Sequence, residues 1–412
     1  MESQAGSIFS KAMALSGPTG LAWGPGTSSS AGQLFQLLRD GRSRTRAELA
    51  RNTGLARSTV KSRIEDLFHL GLIKDGGGTA SSGGRPPATV AFDPSARAVL
   101  VIEMAVSQIL VTVTDLSGKV LADQQCQRLQ AQEPPATLGR AIAVGRQLLG
   151  TAGCGGEMLA GVGIGLSGPS HRTDNHAGSQ LRPGWHGFDF ESFIQRSLQV
   201  PVVVDSVVNL MARGEHTAHW SGHGNFMFVN VDSSIGSAII SGGRLQPGAN
   251  GATGGLGHVR ASNGGDLACP CGNYGCLDMI SSVPALVRKV RQHGVDARTG
   301  EDLLRLAADG QPEVISALHQ GGREIGDVLA TAVSLLNPSV IVLGGSLGES
   351  ADVLAGVREV VYQRALPPVT SQLQINHSLL HHQATIAGAT QVVADRVLSP
   401  AAIDAAVLDL LS

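Results

Sequence analysis

His258 is followed by Cys269, Cys271 and Cys276 in GHVRASNGGDLACPCGNYGCL, which places one imidazole and three thiols within nineteen residues. That donor set at that spacing suits a closed tetrahedral zinc site, with Gly272, Asn273 and Gly275 turning the chain around the ion. Four protein ligands leave no open position for a reacting water, so a zinc here is structural rather than catalytic. The alternative is a thiol-rich turn that holds no ion. Cys126 and Cys154 stand apart from the cluster and read as core residues. Five cysteines, three of them clustered, fit a reducing cytoplasm better than a disulfide framework.

A second group of residues is basic. Thr45 to Leu72, TRAELARNTGLARSTVKSRIEDLFHLGL, has the layout of a helix-turn-helix. At the start of its second helix, Arg57, Ser58, Thr59 and Ser62 are placed to read base edges. Lys61 and Arg63, with Arg42, Arg44 and Arg46, are placed to hold phosphates of double-stranded operator DNA. Arg85, between Gly84 and Pro86 in a narrow wing, has the chemistry to enter an A·T-rich minor groove; an ordinary Gly/Pro turn is the other reading. Protein contact is the alternative use of such a module, and local charge argues against it. Residues 1–90 hold 11 Lys/Arg and 6 Asp/Glu, a balance of +5. The whole chain carries −2, so the rest carries −2 − 5 = −7. A basic head on an acidic body lets only the head approach phosphates.

The elements that position these residues follow from periodicity. Residues 1–30, rich in Ser, Gly, Ala and Pro, read as a mobile leader. Helices are expected from Gln33 to about Asp40, from Arg46 to Asn52 behind a Thr45/Glu48 capping box, and from Arg57 to Leu70. Strands at 72–74 and 90–92 complete a winged helix-turn-helix over 31–92. From Val99 onward strands alternate with helices: 99–104, 109–114, a helix at 135–149, then 159–166, 201–204, 226–231, 238–240 and 340–343. This is an α/β body of two lobes, 93–205 completed by a C-terminal helix near 383–397, and 206–382 with the zinc site. With 42% hydrophobic and 16% charged residues the 412-residue chain is globular. No apolar stretch approaches the roughly 20 residues that span a bilayer, and the N-terminus shows no signal-peptide pattern.

Several of these segments carry a resemblance. Gly163 to Pro169 (GIGLSGP), Asn209 to Glu215 (NLMARGE), Gly254 to His258 (GGLGH), Cys269 to Asp278 (CPCGNYGCLD) and Asn337-Pro338 before VIVLGG resemble the ROK family of repressors, open reading frames and kinases. With the winged helix ahead, the likeness is to its xylose-, N-acetylglucosamine- and glucose-responsive repressors. It implies an actin-like, sugar kinase/ribonuclease H-like fold, with a sugar or sugar phosphate held between the lobes and a homodimer or homotetramer on DNA.

Departures from the family pattern decide what the cleft does. Where family kinases carry Asp-x-Gly-Gly-Thr, this chain has Glu103-Met104-Ala105-Val106-Ser107; where they carry Gly-Thr-Gly it has Asp232-Ser233-Ser234. The missing glycines close off phosphate, and a carboxylate repels it. The kinase segment Asn-Asp-Ala-Asn becomes Ser206-Val207-Val208-Asn209, and Val207 cannot act as the general base. Phosphoryl transfer is therefore not expected. Sugar contact falls to Ser206, Asn209, His258 and Asp278, with Gly255 lacking the family's glutamate side chain. Asp278 has a second reading as a helix-start residue that caps its turn, and His258 one as a zinc ligand. A regulator that needs no ligand, its sugar site vestigial, is the main alternative; a sugar kinase is the other.

Overall fold

In this computed structural model the described residues are 30–76, 88–105, 108–127, 133–167, 170–171, 176–177, 185 and 187–411. The expected leader up to residue 29, the wing tip with Arg85, and Val106-Ser107 lie outside them.

The head is assembled by local signals. Ser30 Oγ accepts from Gln33 N and opens α1 (Ala31–Gln36). After β1 (Arg44–Thr45), the side chain of Thr45 accepts from Glu48 N at 3.1 Å while Glu48 Oε2 accepts from Thr45 N at 2.7 Å, the reciprocal cap that begins α2 (Arg46–Thr53). Gly54, in the left-handed region at φ 71°, ends it. Then α3 (Arg57–His69) buries Val60, Ile64 and Leu67, spaced by four and three residues so that they share one face. The strands β2 (Ile73–Asp75) and β3 (Thr89–Phe92) pair antiparallel, with β1 on the far side of β3. The expected hairpin forms; β1 had no sequence signal, since two residues have no period and are defined only by their pairing.

The body repeats one topology twice. In the first lobe β4 (Ala98–Met104), β5 (Gln108–Asp115) and β6 (Val120–Gln127) form an antiparallel meander. Then come α4 (Pro134–Thr151), β7 (Leu159–Leu166), a short pair β8 (Ser170–His171) and β9 (His176–Ala177), α5 (Phe190–Leu198) and β10 (Val202–Ser206). The sheet order is β10-β7-β4-β5-β6, with β4, β7 and β10 parallel. The second lobe begins with α6 (Val207–Glu215) and the meander β11 (Phe226–Val231), β12 (Ile235–Ser241) and β13 (Arg244–Leu245). It continues with α7 (Asp278–Ser281), α8 (Val283–Gln292), α9 (Gly300–Ala308), α10 (Pro312–Leu336), β14 (Val340–Gly344), α11 (Ala351–Arg364), α12 (Pro367–Thr370) and β15 (Gln374–His377). Its order, β15-β14-β11-β12-β13, matches the first sheet strand for strand. Two such sheets, each a meander extended by two parallel strands, make the two-lobed actin-like fold.

The last two helices, α13 (Ala384–Val397) and α14 (Pro400–Leu411), tie the parts together. Alternate glycines on one face of β7 let α13 lie directly on the strand: a Cβ on Gly161 would meet Val393, one on Gly163 would meet Ala389, and one on Gly165 would approach Thr385. Those three contact residues are four apart, one stripe of the helix. Val393 and Ala394 of α13, with Leu398 just beyond its end, also join the head's core, where Phe35, Leu49, Ile64 and Phe92 meet Val99, Val101, Ile403 and Val407. The head is thus sealed onto the first lobe rather than hung from it. Polar ties reinforce the seam: Gly32 N donates to Asp404 at 2.8 Å, Gln36 Nε2 to Leu398 O at 2.8 Å, and Arg39 to Asp395 at 2.6 Å. Among the described residues no helix is long and apolar enough to cross a membrane.

Candidate functional site

Three regions carry chemistry. In the first, the ligand atoms of His258, Cys269, Cys271 and Cys276 lie within 4.8 Å of one another. The loop that brings them together is a small antiparallel knuckle with bridges Arg260–Cys276 and Ala268–Tyr274. Cys269 N donates to Asn273 O at 2.8 Å, and Gly272 at φ 93° makes a turn that a side chain would strain. His258 presents Nδ1, 3.6 Å from Cys269 Sγ, and Cys271 Sγ is 3.7 Å from Cys276 Sγ. Zinc bonds of about 2.3 Å to sulfur and about 2.0 Å to nitrogen set tetrahedral edges of roughly 3.5–3.8 Å, so the donor set fits that ion. Burial, followed by hydrogen bonds with Cys271 and Cys269, pushes the Cys276 thiol up to about 12. A cation at the centre is what would ionise it.

The second region is the exposed side of the head. Arg57, Ser58, Lys61 and Ser62 are exposed on α3, while Thr59 and Arg63 are partly buried. Lys61 lies 3.7 Å from Glu65 and Arg63 3.3 Å from Asp66, both within the helix. Arg46 is exposed at the start of α2, and Arg51 in its last turn adds an exposed cation that sequence reading did not single out. Arg44 departs from expectation. It grips Asp40 with both terminal nitrogens, at 2.6 and 2.5 Å, and its side chain is only 18% exposed. Burial pushes the Asp40 carboxyl up, but hydrogen bonds from Arg44 and from Arg42 N outweigh it and hold the group below its usual range. Arg44 thus fixes the turn before α2, with its charge matched by Asp40.

The third region is a cleft of about 740 Å³ between the lobes. Its floor joins residues that the sequence marked as departures: Glu103 and Ala105 at the end of β4, Val207 and Val208 at the start of α6, and Asp232, Ser233 and Ser234 after β11. Asp232 is held by Ser346 N at 3.1 Å and Ser233 N at 2.6 Å. Burial first, and then the charge of Asp232, raise the Glu103 carboxyl to about 7 against a hydrogen bond from Thr385 that lowers it. Asp123, Glu301 and Glu349 stand at the rim, brought there from β6, α9 and the turn after β14. No sequence signal joins them, because only the meeting of the lobes does.

Ser206, Asn209, His258 and Asp278 do not line this cleft. Ser206 is buried and caps α6, its Oγ accepting from Asn209 N at 3.1 Å, while Asn209 Nδ2 donates to Asp205 at 2.7 Å. These hydrogen bonds of Ser206 and Asn209 serve the start of the helix. Asp278 Oδ1 accepts from Ile235 N at 2.6 Å, joining α7 to the start of β12, and His258 faces the thiols. Burial raises the Asp278 carboxyl, partly opposed by the Ile235 N–H and by His258.

The sequence pattern of the ROK family matches residues 99–396. Over 358 residues the chain is 28% identical to a xylose repressor of Bacillus spizizenii, covering 86% of this chain and 92% of that protein. A crystal structure of a ROK family transcriptional regulator, a homologue of the E. coli MLC protein, superposes with a TM-score of 0.76 at 22% identity, covering 92% of this chain and 98% of that one. A ROK family glucokinase from Streptomyces griseus, in complex with glucose and AMPPNP, superposes with a TM-score of 0.62 at 24% identity and covers 98% of itself but only 72% of this chain. The two lobes, the matched segment and the duplicated sheets agree: this chain belongs to the ROK family.

Proposed function

We propose that the chain is a DNA-binding transcriptional repressor of carbohydrate-related genes that transfers no phosphoryl group. The observation that carries this reading is a helix, α3, that begins with exposed Arg57 and Ser58, on a body whose cleft has Val207 where family kinases carry their base. Arg57, Ser58, Thr59 and Ser62 would read bases; Arg46, Lys61, Arg63 and Arg85 would hold backbone or minor groove. The division into a leader at 1–30, a head at 31–92 and lobes at 93–205 and 206–382 is part of the same proposal. So are a structural zinc on His258, Cys269, Cys271 and Cys276, a cytoplasmic location, and a homodimer or homotetramer matching a two-fold operator.

Control by a sugar-derived ligand requires that lobe closure reach the head. Gln383 and Thr385 face the cleft at the start of α13, whose far end packs into the head's core and leads into α14 against α1. That helix is the proposed lever. The structural work done by Ser206 and Asn209 favours the second reading, a regulator whose original sugar site is vestigial. Fluorescence anisotropy on DNA from upstream of the gene, titrated with sugars, amino sugars and their phosphates, separates the two. Salt-sensitive binding altered by one compound supports ligand control; tight binding indifferent to all of them supports the second reading. Absence of binding at low salt on both upstream and genomic DNA refutes the proposal.

A further inference from the structure

The cleft's charge is lopsided. Five carboxylates line it (Glu103, Asp123, Asp232, Glu301 and Glu349), and among its described lining residues there is no lysine or arginine. The cationic possibilities are His381, which pairs with Glu349 at 2.9 Å, and His382. Glu103 and Asp232 approach from opposite lobes closely enough to repel, and neither forms an ion pair among the described residues. A second feature is independent of charge. Thr112, fully buried on the β5 face that it shares with Gln108 and Leu110, lines the cleft, and its Oγ1 has no hydrogen-bond partner among the described residues. An enclosed hydroxyl is normally completed by something, and here the described residues do not complete it. The space, about 740 Å³, suits an organic molecule rather than a lone ion.

We propose that the interlobe cleft binds a small polar molecule bearing a protonated amine, its ammonium held between Glu103 of the first lobe and Asp232 of the second. An ammonium offers three donors and no acceptor, which suits two carboxylates and an unfilled hydroxyl such as that of Thr112. Because the two carboxylates belong to different lobes, the amine draws the lobes together; a phosphate at the same place drives them apart. The inference deepens the regulator reading and rests on it only for its consequence, since the binding event itself is independent of DNA. It also gives a pH signature. Below about pH 7 the Glu103 carboxyl holds its proton, so amine affinity falls as pH is lowered.

The test is calorimetric titration of the full-length protein, without DNA, using glucosamine and putrescine as amine probes and glucose, glucose 6-phosphate and ATP as controls. Expected is saturable binding of at least one amine, with the controls at least tenfold weaker. Glu103→Gln combined with Asp232→Asn should weaken the amine by tenfold or more. Should that variant misfold, Asp123→Asn with Glu301→Gln at the exposed rim should weaken it about threefold, while Asp266→Asn, 98% exposed on the zinc knuckle, changes nothing. No saturable binding of either amine, equal binding of glucose or a phosphate, or amine binding indifferent to the cleft substitutions overturns the proposal. Amine binding by a protein that fails to bind DNA removes the regulator reading alone. DNA binding by a protein that ignores both amines removes the cleft assignment alone.

Discussion

The head and the interlobe cleft are the two places where a protein of this architecture can meet phosphate, and their charges are opposite. On the head, Arg46 and Arg57 stand exposed without an ion pair among the described residues. In the cleft, carboxylates occupy both stretches that correspond to phosphate loops. Under the regulator proposal the head gathers phosphate and the cleft repels it, and the two sheets with α13 serve as a lever with a pocket, which needs no base.

The contrast breaks most completely if the cleft can still turn over ATP. Val207→Asp restores a carboxylate at the base position, yet glucose-dependent ATP consumption should stay at background, because Glu103 and Asp232 still repel the nucleotide phosphates. Measurable turnover in a coupled assay would falsify the claim that the cleft excludes phosphate.

On the head, the largest effect is expected at Arg57. Arg57→Ala should cost about 1–3 kcal/mol of operator affinity and relax specificity at one position. Arg46→Ala should weaken all sequences alike and lower the salt slope by about 1. Anisotropy titrations at several salt concentrations separate these patterns; an unchanged slope for Arg46→Ala removes it from the phosphate contacts. Arg44→Ala is the contrast within the head. Because Asp40 already takes both of its terminal nitrogens, the loss should fall on stability, about 1–2 kcal/mol by denaturant melt, with DNA affinity of the folded protein little changed.

Arg44 also shows what a sequence does and does not reveal. Charge can be counted from the chain, but a partner four residues away across a turn cannot be told from free charge without coordinates. Local signals were legible: the Thr45/Glu48 cap, the spacing of Val60, Ile64 and Leu67, the all-apolar β7 and the His258–Cys276 donor spacing each lie within one continuous stretch of fewer than twenty residues. Elements defined by a neighbour were not. The strand β6, VLADQQCQ, is mostly exposed and is held by its pairing to β5, while α14 shows its purpose only where Ile403 and Val407 reach the head. The cleft's carboxylates were least legible, since Glu103 and Glu349 are brought to one cavity by topology alone.

The smallest effect tests whether the acidic floor is as enclosed as the contrast requires. The Glu103 carboxyl keeps its proton to about 7 when folded, against an ordinary value of 4.5. Between those limits the folded chain binds more protons than the unfolded one, so this group's contribution to stability declines as pH rises through the window and does not return above it. Glu103→Gln, which cannot titrate, should match the parent near pH 5 and exceed it near pH 8, by about 1 kcal/mol once the residue's partial exposure is allowed for. Every other titrating group is common to both proteins, so their difference isolates this one. Urea midpoints measured at the two pH values decide it. Parallel curves mean that Glu103 is solvated and that the cleft floor is open to water. Curves that separate at high pH mean that the lobes already enclose an unpaired acid at the place where the kinases of the family hold phosphate.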